Sequence, residues 1–270
     1  METDKLRKQM ECEERLSKYS GEDEVISSHQ LKDYLSETFY AKKNINLKSG
    51  IAQLDEKIVS FEGGELTVIS GPTGNGKTLM GQTLTSSFSA QDKNCLWFTY
   101  EVPAYQFLHH FGTDKKDIPY FFMPKILTGN SMLWIEDRII EAKVKYGLDA
   151  VFVDHLHFLI DMNSRNNISL EIGNVMRSLK RMALRHNIAF FLLAHTQKTK
   201  PDAEMDNDSL RDSSFVAQEA DNVFFIWRVF KNGEAGDKAV LKISKNRRLG
   251  IMNKKINLRK VGPYLVERYD

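Results

Sequence analysis

The amino-acid sequence predicts an α/β fold: a mainly parallel sheet with flanking helices, an N-terminal helical arm and a C-terminal β-hairpin. Three observations support this prediction. Strand-like and helix-like segments alternate from Asn46 onward, as parallel strands joined by crossover helices do. A glycine-rich turn lies between one such strand and the helix that follows it. Two strand-like runs close the chain and are joined by a turn-like segment, which indicates the hairpin.

The glycine-rich turn is the segment "GPTGNGKT", which begins at Gly71. Its spacing, with Gly76, Lys77 and Thr78 at the end, matches the phosphate-binding P-loop. Glycines let the main chain approach phosphate oxygens closely, Lys77 would reach the β- and γ-phosphates, and the Thr78 hydroxyl would ligate Mg²⁺. A chance glycine turn is the alternative, and the order of strand, loop and helix argues against it. The predicted nucleotide-binding residues are Gly71, Pro72, Thr73, Gly74, Asn75, Gly76, Lys77, Thr78 and Leu79.

The composition indicates an ordinary soluble protein. The chain has 270 residues, of which 41% are hydrophobic and 27% charged, enough for one large α/β domain with an accessory segment. No apolar run approaches the length of a membrane span, and the N-terminus is charged throughout, so we expect neither a membrane partner nor a secretory signal. Cys12 and Cys95 make no disulfide framework, which favours the cytoplasm, of a phage-infected host for example, or another reducing compartment.

Charge is distributed unevenly along the chain. The net charge is +2, yet residues 238–270 contain ten Lys or Arg against two acids, and residues 1–40 contain ten acids against six bases. The C-terminal excess fits either a polyanion site or a solvated basic face, and charge alone does not decide between them.

The N-terminal arm, residues 1–45, is polar and helix-prone, with a predicted break at Ser20 and Gly21 and a helix over 31–39. It has too few large apolar residues for a core of its own. We therefore expect it to pack on its own domain or on a neighbouring subunit, while residues 46–270 form the main domain.

Within the main domain the sequence predicts strands, one long helix and two loops. The helix covers 170–186, with an apolar stripe on one side, and ligands of such sheets bind in loops beyond the carboxyl ends of the strands. The strands are predicted at 66–70, 95–100, 150–154, 189–194 and 223–227, the loops at 161–167 and 198–214, and the hairpin strands at 239–244 and 254–259.

Two carboxylates follow predicted strands. Asp154 ends an apolar run, where we expect it to hold Mg²⁺ together with Thr78; capping of a strand is the alternative. Glu101 ends the next run upstream, where it would orient or deprotonate a water; an exposed glutamate is the alternative. His155 and His157 would share one strand face and suggest a metal site, but with no third ligand nearby we favour packing.

Six segments in order carry a family resemblance: "GPTGNGKT", "FTYEVP", "VFVDHLHFLI", "MRSLKRMALRHNIAFFLLAHTQK", "SLRDSSFVAQEADNVFFIWR" and "KISKNRRLG". Together they resemble the C-terminal ATPase domain of DnaB-type hexameric replicative helicases, including phage and mitochondrial versions, over residues 46–258. The ATPase core of that family is similar to RecA-type proteins. The resemblance therefore implies a RecA-like P-loop core.

The resemblance also implies roles for particular residues. Glu101 would be the catalytic carboxylate and Asp154 the Walker B acid, and His195 would sense the γ-phosphate. Lys245 and Arg247 match a Lys-x-Arg pair that reaches into the ATP site of the adjacent subunit, where an arginine stabilises transition-state charge. Arg248 lies beside this pair, which leaves open which arginine is the finger; a basic turn in water is the alternative for all three.

A family loop that contacts single-stranded DNA matches Arg211, Asp212 and Ser214. Charge alone adds Lys198, Lys200 and Arg165 as candidates, although a solvated loop explains them equally well. Nearby acids, Asp202, Glu204, Asp206 and Asp208, would repel a phosphate backbone unless they face elsewhere. The run "PYFFMP" is expected in the core rather than as a platform for bases.

The function implied is that of an ATP-dependent DNA helicase in replication, which uses ATP or another NTP with Mg²⁺. It would move 5′ to 3′ on single-stranded DNA as a homo-oligomeric ring, a hexamer, with ATP sites between subunits. The sequence has no segment resembling the family's collar or primase domain, so we expect either that core and arm suffice or that a partner such as a primase, polymerase or loader contributes. Two alternatives remain: a RecA-like ATPase without unwinding activity (recombinase, regulatory or scaffold), and a P-loop kinase of a small molecule.

Overall fold

The computed structural model describes residues 7, 8, 10, 11, 14, 25–41, 45–160, 168–196, 214–231 and 234–268. Contacts divide the chain into two compact units, Met1–Asn44 and Ile45–Asp270. Helix α1 of the first unit, Ser28–Ala41, contains the helix predicted over 31–39, and residues 7, 8, 10, 11 and 14 are also helical. Helix α1 begins with a capping box, because Ser27 and Gln30 exchange side-chain-to-backbone hydrogen bonds of 3.0 and 3.2 Å. The predicted break at Ser20 and Gly21 lies outside the described residues.

The second unit is built on an eight-stranded sheet in the order β10-β9-β8-β7-β3-β6-β5-β4. Strands β7, β3, β6, β5 and β4 run parallel, and β8, β9 and β10 continue the sheet beyond β7, each antiparallel to the strand before it. The strands are β3 Leu66–Gly71, β4 Cys95–Thr99, β5 Ala150–Asp154, β6 Ala189–His195, β7 Asn222–Lys231, β8 Glu234–Asn246, β9 Lys254–Val261 and β10 Tyr264–Glu267. A separate antiparallel pair joins β1, Asn46–Leu47, to β2, Phe61–Glu62.

Helices cover both faces of the sheet, and two clusters of buried side chains follow from this. Adjacent residues of a strand point to opposite faces, so Phe190 enters one cluster and Phe191 the other. Because both faces are buried, the parallel strands read as almost continuous apolar runs. One face is covered by α5 Met132–Tyr146 and α6 Ile168–His186; the other by α2 Ala52–Ile58, α3 Lys77–Ser89 and α4 Ala104–His109. The remaining short helices are α7 Ser214–Glu219 and 3₁₀ turns at Lys115–Asp117 and Leu156–Leu159.

The mainly parallel sheet with flanking helices and the C-terminal antiparallel pair confirm the predicted fold class. All five predicted parallel strands are present, shifted by at most a few residues at their ends. The hairpin is larger than expected, since β8 extends the main sheet and β10 continues it. Phe121, Phe122 and Met123 of "PYFFMP" pack against the core, as predicted. Among the described residues, no helix is both long and apolar enough to cross a membrane.

Candidate nucleotide-binding and catalytic site

The register of the parallel strands brings the predicted site residues to one edge of the sheet. Gly71, the last residue of β3, pairs with His195, the last residue of β6. Asp154, at the end of β5, pairs with Thr99, at the end of β4. The carboxyl ends of four neighbouring strands therefore converge where the P-loop begins.

The P-loop connects β3 to α3, and its backbone requires glycine at defined places. Gly74 and Gly76 have φ of +74° and +100°, a region that side chains disfavour. A Cβ on Gly71 would lie 2.1 Å from the carbonyl oxygen of Ile226. Lys77 is the first residue of α3, so the loop directs backbone N–H groups and a helix N-terminus toward the space where an anion would bind.

Lys77 is folded back onto the loop. Its Nζ donates to the carbonyl oxygens of Gly71 and Pro72 and to Nδ1 of His195, each at 3.0 Å. Burial lowers the pKa of Lys77 to about 8, against the opposing attraction of Asp154 and Glu101. A bound phosphate would offer this ammonium a full negative charge in place of two carbonyl dipoles, and would thereby favour the charged form.

Thr78 and Asp154 meet directly, since the Thr78 hydroxyl donates to Oδ2 of Asp154 at 2.7 Å. Asp154 is 1% exposed, and burial raises its pKa above the ordinary value despite the Thr78 hydrogen bond. Its other oxygen, Oδ1, is buried and has no hydrogen-bond partner among the described residues. A hydroxyl beside a carboxylate with a spare buried oxygen is a donor set that fits Mg²⁺.

Glu101 lies on a bend two residues beyond the end of β4, since the strand ends at Thr99, one residue earlier than predicted. Its Oε2 is 3.0 Å from Nδ1 of His155 and 3.7 Å from Nε2 of His195. The side chain is 36% exposed, so a carboxylate faces solvent next to the P-loop. This is the arrangement that a water-activating base requires.

The expectation about His155 and His157 was wrong in two respects. Strand β5 ends at Asp154 and a 3₁₀ turn starts at Leu156, so the two histidines do not alternate along a strand. Further ligands do lie close to His155: Glu101 and His195, from two neighbouring strands, each place a donor atom within 4.8 Å of the others. Sequence reasoning missed this group because its members are far apart along the chain.

His195 lies between the phosphate loop and the carboxylate of Glu101. Its Nδ1 lies 3.0 Å from Nζ of Lys77 and 3.3 Å from Oγ1 of Thr73, while Nε2 faces Glu101. Burial, followed by the charge of Lys77, lowers the pKa of His195 to about 4. The imidazole is therefore neutral near pH 7 and touches both the phosphate loop and the carboxylate.

A cavity of about 440 Å³ adjoins the P-loop. Asn75 helps to shape it: Oδ1 accepts from the backbone N–H of Arg228 at 2.9 Å, and Nδ2 donates to the Thr73 carbonyl. The volume of this cavity lies in the range of small-molecule pockets. The lining includes Gly74, Asn75, Thr78 and Leu79 from the P-loop region, with Arg228 from β7 and Lys260 near the β9–β10 turn. Arg228 and Lys260 belong to no motif, so their place beside the P-loop could not be predicted from the sequence.

Lys245 and Arg247 lie at the opposite edge of the sheet from the P-loop. Because β8 is antiparallel to β7, Asn246 pairs with Asn222, the first residue of β7. The backbone N–H of Arg247 donates to Asp221, whose own N–H donates to Leu66 at the start of β3. The six residues of β3 separate this point from the P-loop by about 17 Å.

Each basic side chain at this edge has contacts within the chain. Lys245 Nζ donates to the carbonyl oxygens of Ala217 and Ala220 at 2.7 and 2.8 Å, and burial lowers its pKa, as does the charge of Arg247. Arg247 Nη1 contacts Oδ1 of Asp221 at 3.1 Å and stays 50% exposed. The other oxygen of Asp221 accepts from Lys180 and from the backbone of Leu66.

Arg248 contacts more groups of its own chain than Arg247 does. Its guanidinium contacts Glu62 at 2.9 Å and Glu65 at 3.0 Å, and donates to the carbonyl oxygens of Ile58 and Ser60. These contacts tie the end of β8 to the segment between α2 and β3.

The proposed DNA contacts Arg211 and Asp212 lie outside the described residues, as do Arg165, Lys198, Lys200 and the acids at 202, 204, 206 and 208. Ser214 is the first residue of α7. Cys95 is a buried free thiol whose pKa is raised by burial, and Cys12 is outside the described residues.

A mostly parallel sheet with a phosphate loop after β3 and an acid ending β5 defines the class: RecA-like P-loop ATPase domains. Two solved structures share this fold. The chain aligns with "The Structure Of A DnaB-Like Replicative Helicase And Its Interactions With Primase" at a TM-score of 0.75 and 18% identity, covering 91% of this chain and 69% of that one. A second solved structure, described as an ATPase domain, aligns at a TM-score of 0.75 and 18% identity, covering 92% of this chain and 100% of that one.

The family follows from the sequence comparison. The DnaB-like helicase C terminal domain model matches residues 126–261, half of the chain, and the chain belongs to that family. The replicative DNA helicase DnaB of Haemophilus influenzae is 24% identical over 86% of this chain, and that of Pasteurella multocida is 26% identical over 73%. The chain spans 58% and 50% of the lengths of these two relatives.

Proposed function

We propose that this protein is an ATP-dependent DNA helicase of replication that translocates on single-stranded DNA as a ring. The observation that carries the proposal is the convergence of Lys77, the Thr78–Asp154 pair and Glu101 at one sheet edge. This geometry provides a place for a triphosphate, for a cation and for an activated water. Membership of the DnaB-like family supports coupling of that chemistry to DNA.

Each residue has a defined task in the proposed hydrolysis. The P-loop backbone and Lys77 bind the phosphates of ATP or another NTP, and the cavity beside Asn75 and Arg228 receives the rest of the nucleotide. Thr78 and Asp154 would hold Mg²⁺, which supplies charge neutralisation on the phosphate oxygens. Glu101 accepts the proton of the attacking water. His195, in contact with both Lys77 and Glu101, senses whether the γ-phosphate is present.

We propose that Arg247, with Lys245, completes the site of a neighbouring subunit. The supporting observation is distance, because these side chains lie about one strand length from the P-loop of their own chain. A head-to-tail ring would bring this edge of one subunit to the P-loop edge of the next. The same proposal includes six subunits per ring. It also includes an N-terminal arm, residues 1–45, that packs against the neighbouring subunit.

The DNA contacts and partners are proposed on family membership. Arg211, Asp212 and Ser214 would contact the phosphates of single-stranded DNA inside the ring. One structural neighbour is a helicase described with its primase interactions, and a primase, polymerase or loader is proposed as a partner here. Replication in a bacterial or phage-infected cell would place the protein in the cytoplasm, where the free Cys95 thiol would persist.

The proposal is tested by steady-state ATP hydrolysis with and without single-stranded DNA, in the presence of Mg²⁺. We expect DNA to stimulate hydrolysis several-fold, and Lys77→Ala and Glu101→Gln to lower the rate by roughly a hundredfold or more. The matched control is Arg138→Ala, which removes an arginine of α5 that contacts Glu141 and the Trp134 ring. Hydrolysis that DNA leaves unchanged would instead favour a RecA-like ATPase without motor activity.

A further inference from the structure

We propose that Glu101, His155 and His195 form a binding site for a transition-metal dication of the Zn²⁺ type, separate from the Mg²⁺ position at Thr78 and Asp154. His195 ends β6, while His155 and Glu101 follow the ends of the adjacent strands β5 and β4 by one and two residues. One donor atom from each lies within 4.8 Å of the others. Two imidazoles and one carboxylate are a ligand set that Zn²⁺ uses with an open fourth position.

The distances suit such an ion. Two ligands bound tetrahedrally to Zn²⁺ lie about 3.4 Å apart, given bonds of about 2.0–2.1 Å. The two measured separations, 3.0 Å from Glu101 Oε2 to His155 Nδ1 and 3.7 Å to His195 Nε2, fall on either side of this value. The two imidazole rings meet edge to face at 4.3 Å between centroids, and one donor atom of each ring lies within 4.8 Å of the other.

Some of the neighbouring groups favour metal binding at this site, and one of them, the Lys77 ammonium, opposes it. Nδ1 of His195 now accepts from Lys77; when Nε2 binds a metal, Nδ1 must carry the proton and donate to Thr73 Oγ1, which is 3.3 Å away. Such an outer hydrogen bond is the usual partner of a metal-bound histidine. The Lys77 ammonium can keep its bonds to Gly71 and Pro72. Its charge weakens the site, while the nearby Asp154 carboxylate offsets part of that repulsion.

The proposed Zn²⁺ site and the Mg²⁺ position differ in the type of ligand atom that each offers. Imidazole nitrogen favours Zn²⁺ and related ions, whereas Mg²⁺ prefers oxygen ligands and gives up its waters reluctantly. Excess Mg²⁺ should therefore not fill the histidine site. One consequence rests on the proposed function: an ion bound to Glu101 occupies the carboxylate that accepts the proton from water, so Zn²⁺ would inhibit ATP hydrolysis at a fixed Mg²⁺ concentration.

The test is a titration of the full chain with Co²⁺, a spectroscopic substitute for Zn²⁺, without nucleotide or DNA. A Cys12→Ser background removes a thiol that is itself a strong ligand. We expect visible absorption of tetrahedral Co²⁺ that saturates at one ion per chain, is displaced by Zn²⁺ and survives excess Mg²⁺. His155→Asn and, independently, Glu101→Gln should weaken binding at least about tenfold.

The matched control is the double variant His109→Asn, His110→Asn, which removes two exposed imidazoles on the α4 side of the nucleotide cavity. It should leave the Co²⁺ titration unchanged. Absence of saturable binding, or binding that His155→Asn does not weaken, would overturn the metal site. Because no nucleotide is present, either result is independent of whether the protein hydrolyses ATP or moves on DNA.

Discussion

Arg247 and Arg248 are adjacent in sequence but have opposite environments. Arg248 contacts two carboxylates and two carbonyl oxygens, and its side chain is 27% exposed. Arg247 contacts one carboxylate, Asp221, and one carbonyl oxygen, that of Gln218, and is half exposed. A side chain that must reach into another subunit has to be releasable at little cost, and only Arg247 meets that condition. On this ground we propose Arg247, rather than Arg248, as the arginine that acts on the neighbouring subunit.

We predict that alanine substitutions of Arg248 and Arg247 differ in their effects on stability and on ATP hydrolysis. Arg248→Ala should lower the free energy of unfolding by about 2 kcal/mol, because the buried carboxylate of Glu65 loses its cation. Arg247→Ala should cost less than about 1 kcal/mol, as exposed ion pairs do, yet abolish most ATP hydrolysis. Urea denaturation and a steady-state ATPase assay measure the two effects. Two results would contradict the choice of Arg247 as the residue that acts on the neighbouring subunit. One is that both substitutions lower the free energy of unfolding equally; the other is that Arg248→Ala leaves the chain stable but abolishes ATP hydrolysis.

At the scale of single residues, the sequence predicted what depends on local spacing. The P-loop residues and Asp154 were found because each motif lies within a few residues, and the structure brings Thr78 and Asp154 to 2.7 Å. The contact between His155 and Glu101 was not found. It depends on β4 and β5 being neighbours in the sheet, and strand order is set by packing of the whole domain rather than by any local pattern.

Helix α3 packs against β4 through a glycine. A Cβ on Gly81 would lie 2.6 Å from the Trp97 ring. That ring cannot easily move, since it is fully buried, stacks on Phe152 at 4.6 Å and donates from Nε1 to Thr85 at 2.9 Å. The close approach fixes the helix that carries Lys77 and Thr78 against the sheet.

We therefore predict that Gly81→Ala destabilises the protein by about 1–3 kcal/mol, although alanine favours a helix over glycine by about 1 kcal/mol. Urea or thermal denaturation followed by circular dichroism measures the change. Ser86→Ala, in the same helix but only partly buried, is the control and should change stability by less than about 0.5 kcal/mol. A gain in stability from Gly81→Ala would mean that the helix can move away from Trp97 freely.

Helices α5 and α6 are joined by a charged contact near their ends. Glu136 of α5 accepts from Nε2 of His186 at 2.9 Å and pairs with Arg185 at 2.8 Å. The hydrogen bond from His186, followed by the contacts of Arg185, lowers the pKa of Glu136 below its ordinary value of 4.5. The contact therefore stabilises the fold only while Glu136 is ionised.

The sign of the pH dependence follows. Because the folded pKa of Glu136 is below the unfolded one, its contribution is complete above pH 4.5 and is lost as the pH falls through the folded pKa. Glu136→Gln should therefore reduce the loss of unfolding free energy on acidification. Denaturation at a series of pH values measures this, with Glu56→Gln on the exposed side of α2 as the control. An equal effect of both substitutions would contradict the prediction.

At the scale of elements, buried strands were predictable and amphipathic helices less so. The parallel strands have both faces covered and form short apolar runs bounded by turns. Helix α5 was missed, although Ile135, Ile139 and Ala142 recur at helical spacing and Ser131 caps its first turn. Its exposed Leu133, Ile140 and Val144 obscure that period. Strand β10 was missed because four residues are too few for any period to show.

The sheet of the second unit carries the proposed nucleotide site and the proposed arginine finger at opposite edges. The carboxyl ends of the parallel strands carry the P-loop and Glu101, while Arg247 lies beside the start of β3. If Arg247 completes a nucleotide site, as proposed, it does so on another subunit, and a closed head-to-tail ring is the assembly that would pair every P-loop edge with an Arg247 edge. This separation is invisible in the sequence, where Arg247 follows a strand like many other basic residues.

The last prediction uses this separation directly. Lys77→Ala should inactivate the P-loop edge and Arg247→Ala the opposite edge, so each variant alone should lack hydrolysis. If the two edges act together only between subunits, an equimolar mixture should regain activity, because about a quarter of randomly formed interfaces would join an intact P-loop to an intact Arg247. A mixture of Lys77→Ala with Glu101→Gln, which both damage the same edge, is the control and should stay inactive. Recovery in the first mixture alone would establish a shared site; no recovery in a mixture that forms mixed oligomers would mean that Arg247 does not act across the interface.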